Sequence, residues 1–252
     1  KEDADGTYPY KFDRMKLREI QDIMDSSEFV HLIAQSISSV GDTTNSPPAS
    51  RYKPVDTDLV IVAREMARLV LPLCKKFGVD NKRIVIAKTL PNLHMDGGAL
   101  GRVFMNLVAN AVKYSQQRDP DTFRVVIDSE LLTLGDLQSS YEDGLLDAYV
   151  ERAKGLGIED GYLVTVRDDG IGIVGRNPQR VFEAGHRESN HISFAAMGAG
   201  LGLYVVRRVM EDHFGRAWVS RRADPTEISL FFPDLLFTSA YTELDGWKRK
   251  TA

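Results

Sequence analysis

The stretch VFMNLVANAVKYS, residues 103–115, reads as an apolar helix interrupted by two amides. Positions i and i+4 stack on a helix, so Asn106 and Asn110 share a face and can aim their oxygens at one point. Lys113 follows one turn beyond Asn110, with Tyr114 beside it. Core packing would fill that face with aliphatics of the kind found at Val103, Leu107, Val108 and Val112. Two neutral oxygens there suit a magnesium ion already held by phosphates, because they add ligands without repelling the negative charge. Lys113 can reach the same phosphates as a point charge. The amides can equally cap neighbouring backbone, and this stretch alone leaves both readings open.

Two further stretches bear on the choice. In VTVRDDGIGI, residues 164–173, a strand delivers Asp168, and then Gly170 and Gly172 let the backbone turn sharply beneath a flat ligand. A carboxylate at the end of a buried strand is costly unless something pairs with it. The exocyclic amine of a purine is a natural donor, although the Asp-Asp-Gly run also suits an ordinary tight turn. In MGAGLGLYVVRRV, residues 197–209, Gly198, Gly200 and Gly202 open a helix. Unpaired amides and the helix dipole make such a start a seat for phosphate. The spacing is not the dinucleotide G-x-G-x-x-G, and GIGIVGRN carries arginine where a Walker loop needs lysine.

The rest of the chain supplies the frame. Residues 13–40 place apolar side chains at a helical period, and GDTTNSPPAS (41–50) has the composition of a linker. Asp56 or Thr57 can cap a helix running to about Phe77, RIVIA (83–87) reads as a strand, and Asp96 opens the helix of the two asparagines. Residues 122–130 and 162–168 are strands by their branched and aromatic content. A helix over 201–214 and two closing strands, RAWVSR and EISLFF, complete the pattern. Helices and strands mix without strict βαβ alternation, which predicts an α+β two-layer sandwich with a mixed sheet. The expected organisation is a helical arm and linker over 1–50, a core domain over 51–236 and a tail over 237–252.

Composition narrows the function. The chain has 252 residues, 27% of them charged, and a net charge of −4. Dispersed charge of that size leaves no footprint for nucleic acid or an anionic membrane. A single cysteine, Cys74, excludes an internal disulfide and a multi-thiolate zinc site. No apolar run approaches the ~20 residues of a membrane span, so no membrane contact is expected from this chain. It opens on Lys1 and is expected to be a piece of a longer, cytoplasmic or membrane-anchored protein.

In order and spacing, these stretches resemble the ATP-binding domain of sensor histidine kinases, within the gyrase, chaperone and mismatch-repair ATPase superfamily. NLVANAVKYS is similar to that family's N box, DDGIGI to its first glycine box, VFEAGHR (181–187) to its F box and GAGLGL (198–203) to its second glycine box. The likeness spans residues 52–235. It implies transfer of the ATP γ-phosphoryl group to a histidine, with ATP and Mg2+ as the bound species. Asn106 and Asn110 would hold the magnesium, Lys113 would contact phosphate and Tyr114 would border the nucleotide. Asp168 would take the adenine amine, with Gly170 and Gly172 shaping the pocket. Gly198, Gly200, Leu201 and Gly202 would form the phosphate-receiving hinge, and Arg187 would approach the terminal phosphate. A response regulator or receiver domain would be the partner, and the arm would pair two copies into a homodimer.

Two departures stand out. Residues 131–161 form an insertion with an amphipathic helix expected near 137–154, read either as an extension of the domain's own packing or as a partner site. No histidine lies in the family's phosphoacceptor setting, since His31 is followed by Leu-Ile-Ala-Gln. The arm therefore reads as the second helix of a dimerisation hairpin whose acceptor lies elsewhere. The absent acceptor keeps a second reading open, a nucleotide-binding regulatory module that acts through protein contacts.

Overall fold

A computed structural model describes residues 52–115, 122–141, 144–186 and 200–234. The proposed arm, its His31, the linker and the tail beyond 234 lie outside the described residues. A five-stranded mixed sheet forms the base, in the order β2 (Ile84–Ile86), β4 (Val125–Thr133), β5 (Asp160–Asp168), β7 (Thr226–Pro233), β6 (Arg216–Arg221). β2 runs parallel to β4, and every other pairing is antiparallel. A short ladder of β1 (Val55–Asp58) with β3 (Asn92–Met95) stands apart from it.

Among the described residues, four helices cover one face: α1 (Leu59–Leu69), α2 (Leu71–Phe77), α3 (Gly97–Lys113) and α6 (Gly202–Asp212). The central one is α3, packed between α1 and α6. Its Leu100, Val103, Phe104, Val108 and Val112 are fully buried against Val125, Ile127 and Val164 of the sheet. Burying each such side chain is worth about 1.5–3 kcal/mol. Asp96 caps α3 as expected, its Oδ1 accepting from Ala99 N at 2.7 Å. Its other oxygen accepts from Lys53 N at 2.9 Å, while Tyr52 donates to Asp212 Oδ2 at 3.1 Å. The first residues of the domain are thereby tied to both α3 and α6.

The expected helix to Phe77 is broken in two. Pro72 has no N–H to continue the ladder, so α1 ends at Leu69 and α2 restarts at Leu71. The cap is Asp58 rather than Asp56 or Thr57, because residues 55–58 are drawn into the ladder with β3. Cys74 is a packed thiol in α2, pushed up to about 11 mainly by burial.

The insertion also differs from a single helix. It folds as α4 (Leu134–Ser140) and α5 (Asp147–Gly155), with Gly144 between them at φ +72°. A capping box of Thr133 and Asp136 starts α4. Leu137, Leu146, Tyr149, Val150 and Ala153 pack onto Leu163, Trp218 and Phe231, which point to the sheet face opposite α3. Strand alternation explains it: Ala217 and Val219 face the main core and Trp218 between them faces the insertion.

Candidate functional site

The polar residues of α3 form a single stripe. Arg102, Asn106, Ala109, Asn110 and Lys113 are half-buried, while every other residue from Gly101 to Val112 is buried. Asn106 donates its amide to Arg102 O at 2.8 Å, so its Oδ1 remains an acceptor. That oxygen stands against the first turn of α6: a Cβ added to Gly202 would lie 2.7 Å from it. The Asn110 side chain makes no hydrogen bond among the described residues. Lys113 Nζ sits 5.1 Å from the ring centroid of Tyr114, the C-cap of α3.

The turn after β5 meets the same helix at its end. Ile171 N donates to Tyr114 O at 3.2 Å, and a Cβ on Gly170 would come within 3.0 Å of that oxygen. Gly170 N donates to Asp168 Oδ1 at 2.9 Å, and Asp169 clasps Arg124 through both backbone and carboxylate. Gly172, at φ +84°, lies against Arg222 and Ala223, so only glycine is relaxed there.

Asp168 itself is half-buried at the end of β5. Loss of water raises its carboxyl to about 6, and the neighbouring Asp169 charge adds to that. The Gly170 amide and the Thr226 hydroxyl act in the opposite direction. Thr226 is the cross-strand partner of Asp168. It is 5% exposed and, among the described residues, its Oγ1 completes no well-formed hydrogen bond, so the hydroxyl lies near the carboxylate without being satisfied by it. A ligand offering both a donor and an acceptor would fit this pair.

The start of α6 completes the enclosure. Leu201 occupies the N-cap with no side-chain hydrogen bond, in contrast to Asp58, Asp96 and Thr133 at the starts of α1, α3 and α4. Gly200, at φ +70°, accepts from Gly185 N at 3.1 Å, and a Cβ there would meet His186 O at 2.9 Å. Asn106, Asn110, Lys113, Tyr114, Asp168, Gly170, Gly172, Gly200, Leu201 and Gly202 are thus carried by elements that adjoin α3 or the turn against its end. Arg187 and Gly198 lie outside the described residues. Thr226 escaped the reading of the sequence, because only the β5–β7 register sets it opposite Asp168; a threonine opening the strand TEISLFF is the sole linear hint.

The site lies where the glycine turns of a helix-backed mixed sheet face an amide-bearing helix, and comparison with known proteins identifies the family. A family profile described as histidine kinase-, DNA gyrase B-, and HSP90-like ATPase matches residues 95–236. The match covers more than half of the chain, which belongs to that family. Cyanobacterial phytochrome A of Nostoc is 28% identical over 203 residues, covering 77% of this chain and 22% of its own. The adaptive-response sensory kinase SasA of Prochlorococcus marinus is 27% identical, covering 83% of this chain and 46% of its own. The sensor-like histidine kinase SenX3 of Mycobacterium tuberculosis is 30% identical over 187 residues, covering 72% and 36%. This chain therefore spans less than half of the length of each of these relatives. Among solved structures, the catalytic domain of histidine kinase ThkA aligns over 72% of this chain and 98% of its own, at a TM-score of 0.50 and 19% identity. The Acinetobacter baumannii histidine kinase AdeS aligns over 90% and 87%, at 0.50 and 14%. These two likenesses show the fold.

Proposed function

We propose that this chain is the ATP-binding catalytic unit of a two-component sensor histidine kinase, and that the pocket beside α3 holds the nucleotide. The pair Asp168–Thr226 carries the reading: a dehydrated carboxylate and an unsatisfied hydroxyl, side by side at the end of a strand. The adenine amine donates to Asp168, and Thr226 bonds the same edge of the base. Tyr114 borders the nucleotide, and the bare amides of Gly202 and its neighbours meet the phosphates. Asn106 and Asn110 fit Mg2+, since Oδ1 of Asn106 stays an acceptor beside α6 and Asn110 has its amide uncommitted. The ion, when bound, would supply charge neutralisation for the phosphates. Lys113 and Arg187 add positive charge toward the same phosphates.

The reaction is attack of a histidine nitrogen on the γ-phosphorus as its bond to the bridging oxygen of ADP breaks. Catalysis then rests on alignment and on neutralising charge. The nucleophile comes from outside the described residues, and a receiver domain takes the phosphoryl group onward. A homodimer formed through residues 1–50 and a cytoplasmic setting belong to the same proposal.

Incubation of the chain with γ-labelled ATP tests it. No stable acid-labile label is expected on the chain alone, whereas a separately supplied dimerisation hairpin bearing a phosphoacceptor histidine should be labelled in trans. Label lost on His31→Gln would make the arm the acceptor. Nucleotide binding with no transfer to any hairpin would favour a regulatory module.

A further inference from the structure

Between the two glycine boxes, residues 173–186 have to reach α6 along the open side of β6. Among the described residues β6 is an edge strand, so the N–H and C=O of Val219 that face away from β7 have no strand to bond there. Gln179 takes that place. Its Nε2 donates to Val219 O at 2.9 Å, and Val219 N donates to its Oε1 at 3.0 Å. One side-chain amide thus reproduces the pair of bonds that another strand would make. Neighbouring contacts hold the clip itself. Asn177 Oδ1 accepts from Gln179 N at 3.0 Å, Phe182 is 2% exposed, and Arg222 donates to Gly175 O. The short 3-10 turn Pro178–Phe182 packs on both β6 and α6. A few residues on, Gly185 N bonds Gly200 O, and the backbone then enters the first turn of α6 at Gly202, against Asn106 Oδ1.

We infer that Gln179 is a positioning residue for the phosphate-receiving start of α6: it clips the segment after the first glycine turn to the sheet edge and so sets Gly200 and Gly202 against Asn106. The inference rests on the nucleotide reading of the pocket. Removing the clip leaves Val219 at an edge where water can bond it, so the sheet survives while the α6 start loses its reference. Phosphate recognition should suffer and base recognition should not.

Calorimetry on the full chain with Mg·ATP and with adenosine, for the wild type, Gln179→Leu and Gln179→Glu, decides the matter. Gln179→Leu should bind ATP about tenfold more weakly and adenosine as the wild type does. In Gln179→Glu a carboxylate faces Val219 O and repels it, so ATP binding at pH 8 should be at least as weak. The protonated acid has the shape and bonding pattern of the amide. The affinity of this variant, taken as a ratio to wild type at each pH, should therefore recover as pH falls through the ordinary carboxyl range toward about 4. Equal loss of ATP and adenosine in Gln179→Leu would reduce the residue to a fold-holding role. Unchanged ATP binding, or a Gln179→Glu ratio flat in pH, would also overturn the inference. A wild type that binds adenosine but gains nothing from phosphates would instead remove the nucleotide reading itself.

Discussion

Asp168 concentrates the chemistry of the site in one titration. Its carboxyl titrates near 3.9 in an unfolded chain and about 6 in the fold. A raised value means that the folded state holds the proton more tightly. The associated stability is therefore present below pH ~4 and lost as pH rises through about 6. At pH 7 the ionised group costs the nucleotide-free domain on the order of 1–3 kcal/mol. Asp168→Asn should raise the melting temperature at pH 7, and the gain should shrink to nothing near pH 4; thermal scans across that range check it, and a gain constant with pH would refute it. The new amide can also donate to the carbonyl of guanine, so the preference for ATP over GTP should narrow. Gly202→Ala tests the other end of the pocket. Its methyl would press on Asn106 Oδ1, at 2.7 Å in an unrelaxed helix. ATP affinity should fall about tenfold or more, while adenosine affinity stays unchanged in the same titration. Equal losses would place the phosphates elsewhere.

At the scale of elements, what could be read from the chain was what local chemistry decides. α3 announced itself by its apolar period, and Asp96 by the cap it offers. The stripe 102, 106, 110, 113 is half-buried because it faces the glycine turns rather than the sheet. What depended on pairing was not legible. Residues 55–58 look like a helix start until β3 is present to pair with them, and Thr226 gains meaning only through its register with Asp168. Gln179 is one polar residue among several in GRNPQR, and nothing in the linear text marks the strand edge it closes. The insertion reads as one amphipathic helix near 137–154 but folds as two, because Gly144 counts as a helix break only once its positive φ is known. Its two helices bury Trp218 and Phe231, the largest side chains on that face, and Tyr149 donates to Phe214 O at 3.0 Å. Leu146→Ala should therefore cost about 2–5 kcal/mol and Tyr149→Phe about 1 kcal/mol in denaturant unfolding. ATP affinity should not change in either folded variant, since this core lies across the sheet from α3. A loss of affinity without a loss of stability would give the insertion a direct part in binding.

The whole molecule joins these parts through α3. Its N-cap Asp96 holds the start of the domain at Lys53, its middle meets α6, and its end meets the turn after β5. Tyr52 reaches the far end of α6 at Asp212. The two helices that flank the proposed pocket are thereby both tied to Tyr52 and Lys53, the first described residues. The central claim, that this enclosure holds Mg·ATP by its base and its phosphates at once, is tested most directly by calorimetric titration with ATP and GTP. The titrations are run in magnesium and in EDTA, on the wild type, Asp168→Ala and Asn110→Ala. ATP should bind the wild type and GTP poorly. Asp168→Ala should lose on the order of 1–3 kcal/mol of ATP affinity with or without the ion. Asn110→Ala should lose affinity in magnesium and little in EDTA. Comparable affinities for ATP and GTP, together with an Asn110→Ala loss that is the same in EDTA, would contradict the account.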